Sequence, residues 1–520
     1  MTILQGNAGQ IVTQSRTAAL AVSAAAAAAI VVYLNALNNP FVYDDHHTVV
    51  ANTSIGRLGD LRAIVWHDVT RPVANFSYAV DRRLWGERPF GFHLTNVLLH
   101  ALDVMLLFAL ARRALDDAWD TGAGPPLDTT VMAFGAALLF AVHPMMTEAV
   151  GYVSGRSEVL CGVFFLTAVM AGRRWLRGGG LPWAIVTAAL WLAAIATKEI
   201  GAMFPFVLLA YDEFVLHPGP RERRRRWTTV HGPLIGVAVL AGLARVAILM
   251  RVESPGRALI HWPYALVALD VVRRYTVLLI SPRRQTIFHA VPPIGLSDFV
   301  ALLAIALVVI LIWFAWSVRR TAGAAAFGVL WFLLLLVPGA VLTTLNVGEP
   351  MAEHRVYLAS CGLFLVAGDG LGRLRMWSER TGGAARALVP VVLTVVAVAF
   401  AIETTGRNAV WRSPVSLWRE SVDLAPAHYR PRLLLGEALQ DEGRHDEAMQ
   451  EYKTVIQLRP KDPTGYNKLG ALYAALGRVG EARSTFGRAL EVDPHDEQAR
   501  RALKIMDRAE PRHGFGGDRR

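Results

Sequence analysis

Two adjacent carboxylates, Asp44 and Asp45, stand in the stretch Phe41-Val42-Tyr43-Asp44-Asp45-His46-His47, directly after the first long apolar run. Acids beside hydrocarbon are costly and are kept where they act, so a functional site is the first reading. A solvated turn is the alternative, because Asn38, Asn39 and Pro40 are turn residues. Other polar clusters sit at the ends of other apolar runs. They are His143 to Glu148 followed by Gly155-Arg156-Ser157-Glu158, then Lys198-Glu199, then Glu349-Pro350 with Glu353-His354-Arg355 and Tyr357. Taken singly, each reads equally as an interfacial anchor or a helix-pairing ion pair. Taken together, they predict carboxylates and cations at one face and one depth. Arginine, lysine and histidine can hold a phosphate and stabilise its charge as it leaves. A hydroxyl acceptor is a poor nucleophile and needs a carboxylate base close by. The chemistry that uses both is transfer from a lipid-linked phosphate to an alcohol. Like charges as close as Asp44 and Asp45 raise one pKa. His46 and His47 diverge as neighbours do, and no spacing is that of a metal site, so no metal and no cofactor are expected.

The elements that must position these groups are helices in a membrane. The chain has 520 residues, 53% hydrophobic and 18% charged, with mean hydropathy +0.35; soluble domains are about a quarter charged. Apolar runs predict an all-α polytopic bundle of about eleven spans. They lie near 17–37, 92–111, 129–145, 157–172, 181–197, 200–216, 232–250, 296–317, 323–342, 355–372 and 387–404. The first is an anchor rather than a cleaved leader. The run 263–281 carries Asp270, Arg273 and Arg274 at its middle and fits an interfacial or re-entrant helix better. The net charge of +11 gathers in short loops, which points to topology and not to nucleic acid. With the N-terminus cytoplasmic, those arginine-rich loops lie inside, and loop 38–91, the other polar clusters and the C-terminal region face outward. In loop 38–91, Asn75 to Val80 reads as an amphipathic helix on the membrane. His100 reads as a histidine bonded to a neighbouring helix. Cys161 and Cys361 read as small buried hydrophobes.

From about residue 412 the composition changes. Gly436, Ala448, Tyr452 and Pro460 recur as Gly470, Ala482, Phe486 and Pro494, a period of 34. Small residues let paired helices approach, aromatics fill between them and proline ends each unit, which is a tetratricopeptide pattern. The repeats are placed at 429–462 and 463–496, with a half repeat at 412–428, a capping helix at 497–509 and a disordered tail at 510–520. In this register Arg430, Glu437, Asn467 and Lys468 face a partner groove.

The motifs Phe41 to Asp45, Arg71-Pro72, Pro89 to Asn96 with His100, Ala141 to Ala149, Gly155-Arg156, Lys198-Glu199 and Glu353 to Tyr357, with repeats behind them, carry a family likeness. Nearly the whole chain resembles the transmembrane and tetratricopeptide-repeat (TMTC) protein O-mannosyltransferases. That resemblance implies a GT-C fold for residues 1–411, a polyprenyl-phosphate mannose donor and transfer, with inversion, to serine or threonine hydroxyls. It places the catalytic acid at Asp44 or Asp45 and the repeats on the same side as the site. The donor phosphate is assigned to Arg355 first, with Lys198, His354, Arg156 and Arg71 behind it. His143, Glu148, Glu199 and Glu353 are candidates for sugar or acceptor. The repeat array is short beside those of animal members, and related enzymes often carry Glu where Asp45 stands. Composition rich in Ala and Arg points to a bacterium and hence to its inner membrane. The competing readings are a silent membrane anchor presenting repeats to an envelope complex, and a transporter. A transporter would place polar residues at mid-membrane and show symmetry between halves, and neither is evident in the sequence.

Overall fold

The computed structural model describes residues 2–122, 128–248, 262–345 and 349–509. The tail 510–520 and the end of the run 232–250 lie outside them. The chain divides into two compact units, Met1–Gln285 with Val291–Arg412, and Thr286–Ala290 with Ser413–Arg520.

Backbone polar groups in hydrocarbon must be satisfied within the segment, which makes helices the answer for every apolar run. The first unit accordingly contains α1 (Thr2–Val32), α2 (Leu61–His67), α3 (Pro72–Trp85), α4 (Pro89–Asp120), α5 (Thr129–Val142), α6 (Thr147–Val150), α7 (Arg156–Arg174) and α8 (Gly180–Ile195). It continues with α9 (Phe204–Tyr211), α10 (Pro220–Arg226), α11 (Gly232–Ile248), α12 (Trp262–Ile280), α13 (Phe299–Val318), α14 (Gly323–Thr344), α15 (Tyr357–Thr381) and α16 (Leu388–Val410). No strand occurs among the described residues. Seven helical stretches among them are long and apolar enough to cross a membrane, or eight if the bent pair Thr129–Val142 and Pro144–Val150 is one span. The protein is a multi-pass membrane protein.

That number differs from the expected eleven for local reasons. The runs 157–172 and 181–197 lie in one 43-residue helical stretch, Val153–Ile195. The stretch breaks at Arg177 and Gly178, where Gly178 has φ +94°, a conformation open to glycine, and α7 and α8 pack against each other. The run 200–216 is divided into a 3-10 turn, the short α9 and a π turn. The helix α12 spans 19 residues, and its buried Asp270 accepts from Arg273 and Arg274 of the same helix at 2.7 and 2.6 Å.

The bundle core packs α4, α5, α7, α14 and α15 on one another. Small residues permit the closest approach: a Cβ on Gly362 would stand 2.2 Å from the Gly328 carbonyl oxygen. Inside it, Tyr357 donates to Asp103 at 2.9 Å and its hydroxyl lies 2.8 Å from His100 Nδ1, so the expected neighbour of His100 is a tyrosine on α15.

The second unit carries α17 (Pro414–Leu424), the helix pairs α18 (Tyr429–Asp441) with α19 (His445–Leu458) and α20 (Pro463–Ala475) with α21 (Val479–Val492), and α22 (Glu497–Ala509). A Cβ on Gly436 would stand 2.5 Å from the Tyr452 ring, and one on Gly470 would stand 3.0 Å from Phe486. The periodic glycine is therefore the gap into which the periodic aromatic fits. Residues 286–290, from between α12 and α13, pack with this unit: Thr286 Oγ1 lies 2.9 Å from Ser421 Oγ, and Phe288 meets His428 at 4.5 Å between ring centres.

Candidate functional site

The Asp44-Asp45 turn is held from both sides. Behind it, Asn39 donates to the Asn408 carbonyl at 3.0 Å, Asn408 donates to Val32 O at 2.8 Å, and His93 Nε2 meets Asn39 O at 3.0 Å. The end of α1 is thus tied to α16 and α4. Tyr43 then turns the chain at φ 51°, a left-handed conformation that a tyrosine adopts only under constraint. The turn separates the two acids. Asp45 is fully buried, and both its oxygens are occupied. Oδ1 accepts from the Ser154 backbone N–H at 2.7 Å and from the Ser154 hydroxyl at 2.6 Å, and Oδ2 accepts from Val42 N–H at 3.1 Å. Asp44 is exposed, and its backbone N–H meets the Tyr152 hydroxyl at 2.9 Å. Its carboxylate has no hydrogen-bond partner among the described residues. Burial pushes the Asp45 carboxyl up to about 7, with the Asp44 charge adding to the rise and the Ser154 bonds opposing it.

Two residues along the chain from Ser154, Arg156 is fully buried. It pairs with Asp81 of α3, donates to Asn96 Oδ1 at 2.7 Å and to Phe92 O at 2.6 Å, and lies 4.9 Å from the Tyr78 ring centre. An arginine this enclosed staples loop 38–91 to the bundle, a different place from the phosphate contact that the sequence assigned to it. The helix expected at Asn75 to Val80 is α3, and its inward face combines the apolar Ala74, Tyr78 and Ala79 with the polar Asn75 and Asp81. Asn75 bonds Asn52, Ser54 and the Ile64 carbonyl, and Thr95 donates to Asp81 at 2.8 Å.

His143 and Glu148 hold chain segments together. His143 Nδ1 accepts from Met145 N–H at 3.1 Å and Nε2 meets Leu279 O at 3.0 Å, which occupies both ring nitrogens. Glu148 accepts from Glu353 N–H at 2.9 Å and stands 2.5 Å from His354 Nδ1. Gln285 donates to Glu353 at 3.1 Å. Burial, with the Lys198 cation nearby, lowers His354, so its ring is neutral and Nδ1–H is the donor toward Glu148. These bonds fix the turn that presents Arg355, which is half-buried and donates to Glu349 O at 2.7 Å.

Arg355 lines a narrow cavity of about 40 Å³. One end is polar, with Arg355, Lys198, Glu158 and Glu199; the rest is apolar, from α12 (Val271, Val272) and α14 (Leu335 to Thr343). Lys198 pairs with Glu158 at 2.5 Å, and Glu199 pairs with Arg71 at 3.2 Å. Burial opposes the charge on Glu199, but Lys198 and Arg71 outweigh it and hold its carboxyl below the usual range. Neither Asp44 nor Asp45 lines this cavity. Ser154, Tyr152 and Asp81 escaped the sequence reading; the small-residue turn after Glu148 was the one signal for Ser154. No group of three metal-ligating side chains occurs among the described residues.

In the repeats, Lys468 pairs with Glu437 at 2.6 Å, and Asn467 donates to both Asp496 oxygens at 3.0 and 3.1 Å. The Arg430 backbone N–H bonds His428 Nδ1 at 3.4 Å, the N-cap of α18.

Comparison with known proteins agrees with this division. A TPR repeat model matches residues 436–477, and a tetratricopeptide repeat model matches 463–496. Protein O-mannosyl-transferase TMTC1 of Homo sapiens is 26% identical over 515 residues, covering 86% of this chain and 56% of that protein. Protein O-mannosyl-transferase Tmtc3 of Drosophila melanogaster is 24% identical, covering 94% and 60%. TMTC4 of Mus musculus is 24% identical, covering 81% and 64%. The chain is homologous to these proteins along most of its length, and it spans a little over half of theirs.

Proposed function

We propose that the first unit is a glycosyltransferase of GT-C type that moves mannose from a polyprenyl phosphate to serine or threonine hydroxyls of polypeptides, and that Asp44 is its base. One observation carries this reading: an exposed carboxylate stands on a turn whose other carboxylate is locked by three hydrogen bonds. A base must reach the acceptor proton, and Asp44 can, whereas Asp45 has no oxygen to spare. Asp45 is then a positioning residue. In the step, the acceptor hydroxyl oxygen attacks the sugar C1 from the face opposite the phosphate while Asp44 takes the hydroxyl proton. The bond from C1 to the phosphate oxygen breaks, its electron pair leaves with the phosphate, and C1 is inverted. Arg355 meets the leaving phosphate with a guanidinium fork, and Lys198 adds charge at the same cavity end. The acids and the repeats are taken to face the outer side of a bacterial inner membrane, where the repeats would capture acceptor polypeptide.

The test is transfer in purified membranes from radiolabelled polyprenyl-phosphate mannose, with wild type, Asp44→Asn and Asp45→Asn matched for expression. Loss of transfer in Asp44→Asn with retained donor binding supports the reading. Full transfer in that variant removes Asp44 from the role, and no transfer from any of a panel of donor sugars returns the chain to a membrane-anchored adaptor.

A further inference from the structure

The end of the bundle away from Asp44 holds a second cleft, about 890 Å³, that the proposed reaction does not use. Helix α4 rises about 48 Å over its 32 residues. His93 and Asn96 near its start meet the Asp44 region, and Asp117 near its end meets Arg173 and Tyr211. The cleft lies beyond Tyr211. Two separate parts of the chain build it, residues 209–227 and 316–320. Four arginines line it, Arg223, Arg224, Arg319 and Arg320, against one carboxylate, Glu213, which already accepts from Arg223 Nε at 2.8 and 2.9 Å. Its walls include Trp227 and Trp316, which are 50% and 59% exposed. Arg319 stacks 3.8 Å from the Trp316 ring centre. His217 bends the chain at φ 47°, and its buried Nε2 has no hydrogen-bond partner among the described residues.

Half-exposed tryptophans mark the boundary between lipid tails and water. Guanidinium forks match phosphate oxygens, and basic pockets between spans on the arginine-rich side hold anionic headgroups. Loop arginines placed only for topology have no need to converge from two regions on one cleft walled by tryptophans. We propose that this cleft binds the phosphate headgroup of an anionic phospholipid, with Arg224, Arg319 and Arg320 around the phosphate and Trp227 and Trp316 against the glycerol and upper tails. With the arginine-rich loops inside, this is a lipid of the cytoplasmic leaflet. The assignment does not depend on Asp44 or on any transfer reaction.

The experiment uses the full chain in neutral detergent, titrated with short-chain phosphatidylglycerol, short-chain phosphatidylcholine, polyprenyl phosphate and inorganic phosphate, and read by tryptophan fluorescence and native mass spectrometry. Arg319→Ala with Arg320→Ala is compared with Arg380→Ala plus Arg386→Ala, which removes the same charge from exposed positions elsewhere. Phosphatidylglycerol should bind about ten-fold or more tighter than phosphatidylcholine, and the 319/320 variant alone should lose that preference. Equal binding of the two phospholipids, or equal loss in the two double variants, overturns the proposal. So does tighter binding of polyprenyl phosphate than of phosphatidylglycerol, which would make the cleft a carrier-lipid site. Displacement by inorganic phosphate at the same concentration would make it a free-phosphate site and overturn it too.

Discussion

The two ends of the helix bundle both bury acids among cations, yet they leave different groups over. At the arginine-rich end, Asp117 accepts from Arg173 at 2.6 and 2.5 Å, from Tyr211 at 2.7 Å and from Arg177. Asp212 is likewise enclosed by Arg226 and by His231 at 2.9 Å. Each of these acids has at least two partners, and nothing on them faces outward. At the other end Arg156 is enclosed with Asp81 in the same way, and Asp45 is held by Ser154 and Val42 instead of by a cation, but the residue beside Asp45 is left open: Asp44 is exposed. A buried pair that closes on itself fixes helices. A buried pair whose neighbour is left open fixes a site. The largest expected effect tests that distinction. Asp44→Asn should lower transfer about 10²–10⁴-fold, the usual worth of a general base, and change stability by no more than about 0.5 kcal/mol, as for an exposed group. Asp45→Asn should instead destabilise by about 1–3 kcal/mol, because an amide N–H₂ would face the Val42 or Ser154 donors.

That second variant has a signature in pH. Burial raises the folded Asp45 carboxyl to about 7, above its unfolded value. The fold thus favours the protonated acid, and this contribution to stability is complete below about pH 4 and lost as pH rises to 7. In Asp45→Asn it is absent at every pH. The wild-type advantage in Tm over the variant should therefore shrink from pH 5 to pH 8. An advantage that grows over that range would show that the hydrogen bonds from Ser154 and Val42 outweigh burial.

Breaking a closed pair at each end sharpens the comparison. Arg156→Ala leaves Asp81 buried without its cation and should cost about 3–5 kcal/mol. It should also open loop 38–91 to proteolysis and reduce transfer through loss of the frame. Arg173→Ala leaves Asp117 with Tyr211 and Arg177 still in place, so its cost should be smaller, and loop 38–91 should stay protected. Equal proteolysis of that loop in both variants would remove Arg156 from its role as the staple.

What the sequence made legible, and what it hid, follows from the range of the contacts. The repeats announced themselves because Gly436 and Tyr452, or Gly470 and Phe486, meet within one unit and recur every 34 residues. The Asp44-Asp45 pair stood out because acids are rare beside an apolar run. Their separation into one locked and one open carboxylate depends on Ser154, 109 residues away, and on a left-handed tyrosine that no residue type signals. Arg156 was grouped with phosphate ligands because its partner Asp81 lies on α3, far from it along the chain, and no local pattern signals that pairing. His143 and Glu148 were grouped with sugar contacts for the same reason: their partners, Leu279, Glu353 and His354, come from far along the chain. Run length also does not reveal where a short stretch such as 200–216 breaks into turns of different pitch.

A moderate effect is expected at the cavity. Arg355→Ala should raise the donor KM about ten-fold or more, the worth of a charge-assisted hydrogen bond to phosphate, and leave Tm nearly unchanged, since its fixed contact is to one carbonyl. Normal donor affinity would shift the phosphate assignment to Lys198. Because Lys198 is already paired with Glu158, Glu158→Gln should then strengthen donor binding by freeing the ammonium.

The smallest effect belongs to the repeats. Lys468 and Glu437 are about one third exposed, at 36% and 35%, and bridge α20 to α18 at 2.6 Å. Two mobile side chains in water gain little from such a pair, about 0–1 kcal/mol. Lys468→Ala should therefore lower the Tm of the repeat unit only slightly, and less still at high salt. If the pair also faces acceptor polypeptide, transfer to protein should fall while hydrolysis of the donor by the membrane unit stays constant. A large loss of Tm would instead place Lys468 among the closed pairs, alongside Arg156 and Arg173, and take it out of the groove.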